Sequence, residues 1–391
     1  MGKRSRPGLL AALRSGLHWA NRHAGWLFLA GLAAVVIRQW RLWQKDKRSL
    51  SAIKAAPPLH GLESWPRLPK VSALVAAWNE AGNIQAHIES FLALRYPHKQ
   101  LVLVAGGSDG TFEIAQKYAE EQVFVMQQIP GEGKQRALRR GLERTDGEII
   151  YLTDADCLLS DQAFESVLTP LIKGEALAAT GRFRPLPGQE NQPFVQMQWC
   201  IDNYGRAWLP AHIQGLIGRN ATLARRLLAV TGDFQETVLT GTDYFLAQQI
   251  LASGQSIAYV HDSMVATAFH NRPQLYLRQQ SRWLRNILIH AKQFQSQDQY
   301  RSALGQCLSG ILVLSVILLA PFSGIFLAFA GLLVAYGTLA RWRYLYFGKH
   351  TLNIHIHKAA LLLAPATFLL DQVMLVYALF TMLNRPHRTR W

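Results

Sequence analysis

Acidic residues are nearly missing from both ends of this chain. Residues 1–54 hold eleven Lys and Arg against one acid, Asp46, and residues 341–391 hold seven against one, Asp371. These flanks account for the whole formal charge of +16, because 55–340 balances 23 basic with 23 acidic residues. A basic excess spread over a globular face would point to nucleic acid. Here it borders apolar segments, the pattern of Lys and Arg beside anionic headgroups, so a membrane and not a nucleic acid is the expected partner. Cysteine is scarce too. Cys157, Cys200 and Cys307 form no CxxC pair, which excludes a disulfide framework and a thiolate zinc site and suits a reducing, cytosol-facing compartment. Cys157, beside two aspartates, reads as a small buried side chain. There is no internal repeat and no low-complexity segment.

Charge is absent altogether from Leu308 to Ala340. One helix of that length would span about 50 Å, against a hydrocarbon core of about 30 Å. Pro321-Phe322-Ser323-Gly324 interrupts the run, so two short spans in a hairpin are expected. Arg341, Arg343, Lys349 and Lys358 follow as a basic, cytosolic loop. Ala359–Leu383 reads as a further span carrying Asp371, and intramembrane acids are functional or helix-packing groups. His355-Ile356-His357 reads as solvated loop. Near the N-terminus, Ala24–Ile37 is apolar and is followed at once by Arg38, Arg41, Lys45, Lys47 and Arg48, unlike a cleavable signal. Extended back to Leu17 it can cross a membrane; otherwise it lies in the interface. The expected divisions are 1–50 as a basic segment with one membrane or interfacial helix, and 51–69, with Pro57, Pro58, Pro66 and Pro69, as linker. A catalytic domain follows over 70–268, then amphipathic interface helices over 269–303. About three transmembrane helices with a basic tail complete the chain over 304–391.

Within the central part, strand and helix alternate. Strands are expected at Val71–Trp78, Leu101–Val104, Val123–Met126 and Ile149–Thr153, and helices at Glu80–Leu94, Thr111–Glu120 and Lys134–Glu143. Such alternation means an α/β fold with a parallel sheet covered by helices on both faces. Ligands of these sheets bind at the carboxyl ends of strands. Asn79-Glu80, Gly106–Asp109 and Asp154-Ala155-Asp156 all fall there.

Three motifs carry chemistry. Asp154 and Asp156, at a strand end, can hold Mg²⁺ or Mn²⁺, which take oxygen ligands. Asp243, in Thr240-Gly241-Thr242-Asp243, can take a proton from an attacking hydroxyl, or can cap the helix expected at Tyr244–Leu251. Gln279-Gln280-Ser281-Arg282-Trp283 sets a guanidinium for a phosphate beside a flat ring for a sugar, on a helix suited to a membrane interface. Lys134, in Gly131-Glu132-Gly133-Lys134-Gln135-Arg136, can touch a diphosphate, although the spacing is not that of a P-loop.

In this order the motifs resemble those of membrane-integrated, inverting glycosyltransferases of family 2, over roughly residues 70–300. Poly-N-acetylglucosamine, hyaluronan, chitin and cellulose synthases and ceramide glucosyltransferase-like enzymes belong there. The resemblance implies a GT-A fold with a mostly parallel, Rossmann-like sheet. It implies Asn79 and Glu80 near the nucleotide base, and Lys134 and Asp154 on the diphosphate or sugar. Asp156, with Asp154, would hold Mg²⁺ or Mn²⁺. Asp243 would be the base, and Gln279, Arg282 and Trp283 would close over donor and acceptor. The expected donor is a UDP-sugar, the acceptor a lipid or a glycan. The expected location is the inner membrane, with the catalytic part in the cytoplasm. One departure stands out. Such enzymes usually end the second strand in two acids before Gly-Ser, one of which binds uracil. Here the stretch reads Ala105-Gly106-Gly107-Ser108-Asp109, with Gly106 at an acid's place and Asp109 as the available substitute. A catalytically silent scaffold that kept the fold is the alternative reading.

Overall fold

The computed structural model describes residues 9–50, 65, 67–235, 238 and 240–384. Most of the expected linker and the basic tail lie outside these residues. Two helices come first, α1 (Leu9–Arg22) and α2 (Ala24–Leu50). The α/β part then opens with β1 (Val71–Trp78), α3 (Ile84–Leu92), β2 (Lys99–Gly106), α4 (Thr111–Gln116), β3 (Val123–Gln127), α5 (Gly133–Leu142) and β4 (Ile149–Leu152). These strands lie parallel in the order β3-β2-β1-β4. Their apolar runs are buried on both faces, as parallel strands require. Val71, Ala73, Val75 and Ala77 pack with Ile84, Ile88 and Phe91 on one side, and Leu74, Val102 and Ile150 with Leu138 and Leu142 on the other.

The chain continues as β5 (Cys157–Leu158), α6 (Asp161–Ile172), β6 (Ala178–Pro185), α7 (Pro193–Arg206), β7 (His212–Ile213), β8 (Ala221–Ala224), α8 (Arg225–Thr231), α9 (Thr242–Ala252) and β9 (Ile257–Thr267). These strands extend the sheet as β4-β8-β6-β9-β5, with β7 on β9. Only β6–β9 is parallel; β4–β8, β6–β8, β5–β9 and β7–β9 are antiparallel. The sheet is thus a parallel half joined to a mixed half. Cys157 is buried, as its small side chain implied.

Four longer helices follow: α10 (Pro273–Gln293), α11 (Gln297–Leu319), α12 (Gly324–Thr351) and α14 (Ala364–Asn384), with short α13 (Lys358–Leu362) before the last. The stretch 269–303, where interface helices were expected, holds α10 and the first turns of α11. The break between α11 and α12 falls at a 3₁₀ turn, Ala320–Phe322, where Pro321 and Gly324 had marked a hairpin. His357 caps α13 by accepting from Ala359 N at 3.1 Å.

Among the described residues, three helical segments are long and apolar enough to cross a membrane: Gln297–Phe322, Gly324–Thr351 and Ala364–Leu383. α2 is not one of them, because its second half is charged. It nevertheless runs beside α12 in the same direction. Asn21 Oδ1 accepts from Ser323 Oγ and Ile325 N, Phe28 lies on Gly331, Gly31 on Leu332, and Asp46 pairs with Arg343 at 3.1 Å. The other helices close on small residues as well, Gly337 under Phe368 and Gly310 against Leu375, the close backbone approach usual in membrane bundles.

Candidate active site

The site forms where β1, β2 and β4 end. Asn79 leaves β1 with φ of 58°. Its N–H donates to Gly106 O at 3.0 Å and its Oδ1 accepts from Ser108 N at 2.9 Å, which ties the two strand ends together. Asp109 accepts from Ala81 N, Thr111 N and Thr111 Oγ1, so its carboxylate braces the loop. These bonds outweigh burial and hold its pKa below the usual carboxylate range. Glu80 accepts from Asn83 Nδ2 at 2.8 Å. Burial, then the nearby charges of Asp156, Asp154 and Asp109, push its pKa up against that bond. A Cβ on Gly106 would stand 2.9 Å from Gln128 Cβ and 3.1 Å from Trp78 Cζ3. The place of an acid is therefore filled by neighbouring side chains.

Asp154 and Asp156 follow β4 and differ in their surroundings. Lys134, at the start of α5, donates to Asp154 Oδ1 at 2.5 Å, and Arg219 Nε stands 3.7 Å from Oδ2. Burial would raise the Asp154 pKa, but Lys134 and Arg219 overcome it and hold it at about 2. Asp156 Oδ2 accepts from Thr267 Oγ1 at 3.2 Å. His270, three residues beyond β9, is half-buried; burial lowers its pKa against the opposing charge of Asp156, which places the imidazole within electrostatic reach of that carboxylate.

Asp243 sits in the first turn of α9, whose N-cap is Gly241, so it is not the cap that an isolated helix would suggest. A cleft of about 330 Å³ runs past it. Lys134, Asp154, Asp243, Arg282 and Trp283 all line this cleft, together with Arg206 and Arg219. Gln279, one turn earlier on α10, is not among its walls, nor are Asn79, Glu80, Asp109 and Asp156, which lie toward the strand ends.

Sequence reasoning passed over several residues that build the cleft. Arg219 and Phe183 had no motif around them. Asn286 and His290 hold the Asp243 loop: Thr240 Oγ1 donates to Asn286 Oδ1 at 2.7 Å, and His290 Nε2 is 2.8 Å from Thr240 O. Arg282, Asn286 and His290 recur every four residues on α10, a polar stripe visible in the sequence.

A half-parallel, half-mixed sheet with carboxylates at its strand ends defines a GT-A glycosyltransferase fold, here with membrane-length helices after it. The chain belongs to glycosyltransferase family 2. The profile described as "Glycosyltransferase like family 2" matches residues 69–286, and that of "Glycosyl transferase family group 2" matches 205–380. A relative is the probable glycosyltransferase YdaM of Bacillus subtilis, 26% identical over 239 residues, covering 57% of this chain and 56% of YdaM. Another is the poly-beta-1,6-N-acetyl-D-glucosamine synthase of Staphylococcus epidermidis, 28% identical over 167 residues, 42% of this chain and 38% of the synthase. The chain thus spans about half or less of these relatives. Among solved structures, the mannosyltransferase PcManGT from Pyrobaculum calidifontis, in complex with GDP-Man and Mn²⁺, superposes with a TM-score of 0.53 at 19% identity. The match covers 92% of this chain and 99% of that one, and it shows a shared fold.

Proposed function

We propose that this protein is a membrane-bound, inverting glycosyltransferase that moves a sugar from a nucleotide donor to an acceptor hydroxyl at the membrane surface. The observation that carries this reading is the single cleft in which Asp243 faces Lys134, Asp154, Arg282 and Trp283. Lys134 and Arg282 bind the donor's diphosphate and Asp154 orients the sugar. Trp283 offers the sugar a flat apolar face. The acceptor oxygen attacks the anomeric carbon as the bond to the diphosphate breaks, and Asp243 takes the hydroxyl proton. Inversion follows from that single displacement.

At the strand end Asp156, held by Thr267 and two residues beyond Asp154, offers carboxylate oxygens of the kind that Mg²⁺ and Mn²⁺ take, and among the described residues no group of three or more His, Cys, Asp and Glu gathers around a metal site. A metal held there would neutralise charge on the leaving diphosphate. PcManGT was solved with GDP-Man and Mn²⁺, which supports a donor and metal of this class. Gly106 removes the acid expected to read uracil, so GDP- and UDP-sugars both stand as donors.

A lipid acceptor is favoured over a polysaccharide. Ile287 lines the cleft and also packs against the buried cluster that includes Ala303 and Cys307 of α11 and Ala378 of α14, so the cleft wall is continuous with the membrane-length helices. Their glycine contacts bring α2, α11, α12 and α14 close together, the opposite of a channel for a growing polymer. The basic end of α12 lies against α7, Arg343 on Tyr204 and Gly348 on Cys200, which supports a cytoplasmic catalytic part by the positive-inside rule.

The test is nucleoside diphosphate release by detergent-purified protein over a panel of UDP- and GDP-sugars, with Mn²⁺ or Mg²⁺, with and without native lipid extract. Release requiring one donor, metal and lipid is expected. A ladder of products would replace the lipid with a polymer, and no release from any donor would favour a silent scaffold.

A further inference from the structure

Arg219 lines the cleft without belonging to any motif. It lies in the turn that leads into β8. Its guanidinium lies 5.1 Å from the centroid of Phe183 and 5.8 Å from that of Trp283, two rings that meet edge to face beside it. Nη1 donates to Thr267 Oγ1 at 3.0 Å, and the same hydroxyl donates to Asp156 Oδ2. The side chain is only 12% exposed. Burial alone would drive its pKa down, but the carboxylates of Asp156, Asp154 and Asp243 more than reverse this, so it stays charged.

The contact between Arg219 and Asp154 is loose. At 3.7 Å it is an ion pair but too long for a hydrogen bond, whereas Lys134 holds Asp154 directly at 2.5 Å. Asp154 therefore has its partner without Arg219. Along the cleft the cations outnumber the carboxylates: Lys134, Arg206, Arg219 and Arg282 line it against Asp154 and Asp243, and Arg206 has Asp202 as a partner outside the wall. A nucleotide sugar brings two negative charges on its diphosphate, and the cations can turn from carboxylates to phosphate oxygens. A guanidinium packed against aromatic rings is held in place by them, and its planar fork of donors matches two phosphate oxygens.

We propose that Arg219 binds the donor's diphosphate and is the group by which this site tells a nucleoside diphosphate from a monophosphate. The proposal rests on the transferase reading above. Arg219 is placed by Phe183 and Trp283, and by Thr267, whose hydroxyl joins it to Asp156. Binding of the diphosphate and seating of Asp156 are then linked through one side chain.

The experiment is calorimetric titration of the detergent-purified full chain with UDP, UMP, GDP and GMP, with and without Mn²⁺. Arg219→Met is compared with wild type, with Arg219→Lys as the second variant and melting curves as the fold control. Wild type is expected to bind one diphosphate at least tenfold more tightly than its monophosphate. Arg219→Met is expected to lose that margin while keeping monophosphate affinity, and Arg219→Lys to fall between them. Diphosphate affinity within twofold of wild type in both variants would overturn the proposal, as would an equal loss for mono- and diphosphate. If wild type binds none of the four nucleotides, the transferase reading itself falls.

Discussion

Tyr276 donates its hydroxyl hydrogen to Asp371 Oδ1 at 2.8 Å, and this bond ties the helix carrying Arg282 and Trp283 to the last membrane-length helix. Arg341 of α12 pairs with the other oxygen of Asp371. Three helices thus meet at one carboxylate, and the acid in the apolar run is a packing tie between the membrane-length helices and the helix that lines the candidate site.

That tie sets a stability expectation. Removing one partner of a buried pair strands a charge and costs about 3–5 kcal/mol, whereas replacing both with apolar groups of similar size is often neutral. Asp371→Ala should melt well below wild type, and Tyr276→Phe should cost about 1–3 kcal/mol through the lost hydroxyl. Arg341→Met with Asp371→Leu should recover much of the loss. Thermal unfolding in detergent decides; a double variant as unstable as Asp371→Ala would refute the packing role.

Gly218 lies against the proposed base. A Cβ there would stand 2.8 Å from Asp243 Cβ. Gly218→Ala should displace the carboxylate and lower kcat by about tenfold or more, since misplacements of about 1 Å carry such penalties. Donor KM should change little. Unchanged kcat would remove Asp243 from the reaction.

Glu80 carries a pH signature. Its folded pKa is raised above 4.5, by burial first and then by neighbouring acids. The favourable protonated state is fully present below pH 4.5 and is lost as pH rises through the raised folded value. Glu80→Gln should therefore raise the melting temperature at pH 7 and do so progressively less as pH falls toward 4.5, while weakening donor binding. A gain independent of pH would point to packing instead of charge.

The metal site can be read directly. Asp156→Asn should abolish the Mn²⁺-dependent part of nucleoside diphosphate binding. Electron paramagnetic resonance of bound Mn²⁺ measures it, and full Mn²⁺ affinity in Asp156→Asn would take the metal away from the strand end.

The first half of the sheet was legible because buried parallel strands are continuous apolar runs, and Val71–Trp78 could hardly be anything else. Boundaries were less so. α3 begins at Ile84 and not at Glu80, since Asn79 turns left-handed and Glu80 and Asn83 close a turn first. β6 and β9 interrupt their apolar residues with Arg, Asp and His although both are largely buried, and escaped a reading based on apolar runs.

The sequence alone determined the class of the protein. Strand-end carboxylates, the Asp243 segment and the Arg282-Trp283 pair are local patterns, and their order along the chain is specific. Local patterns also placed the hairpin of membrane-length helices, because charge and proline act within a few residues. Only the tertiary structure decided which groups share the cleft. Arg219 and Phe183 come from separate turns and strands, Thr267 reaches Asp156 across more than a hundred residues, and Asp371 finds Tyr276 and Arg341 on other helices. Such partnerships depend on how elements pack, and periodicity within one segment carries no record of its distant neighbours.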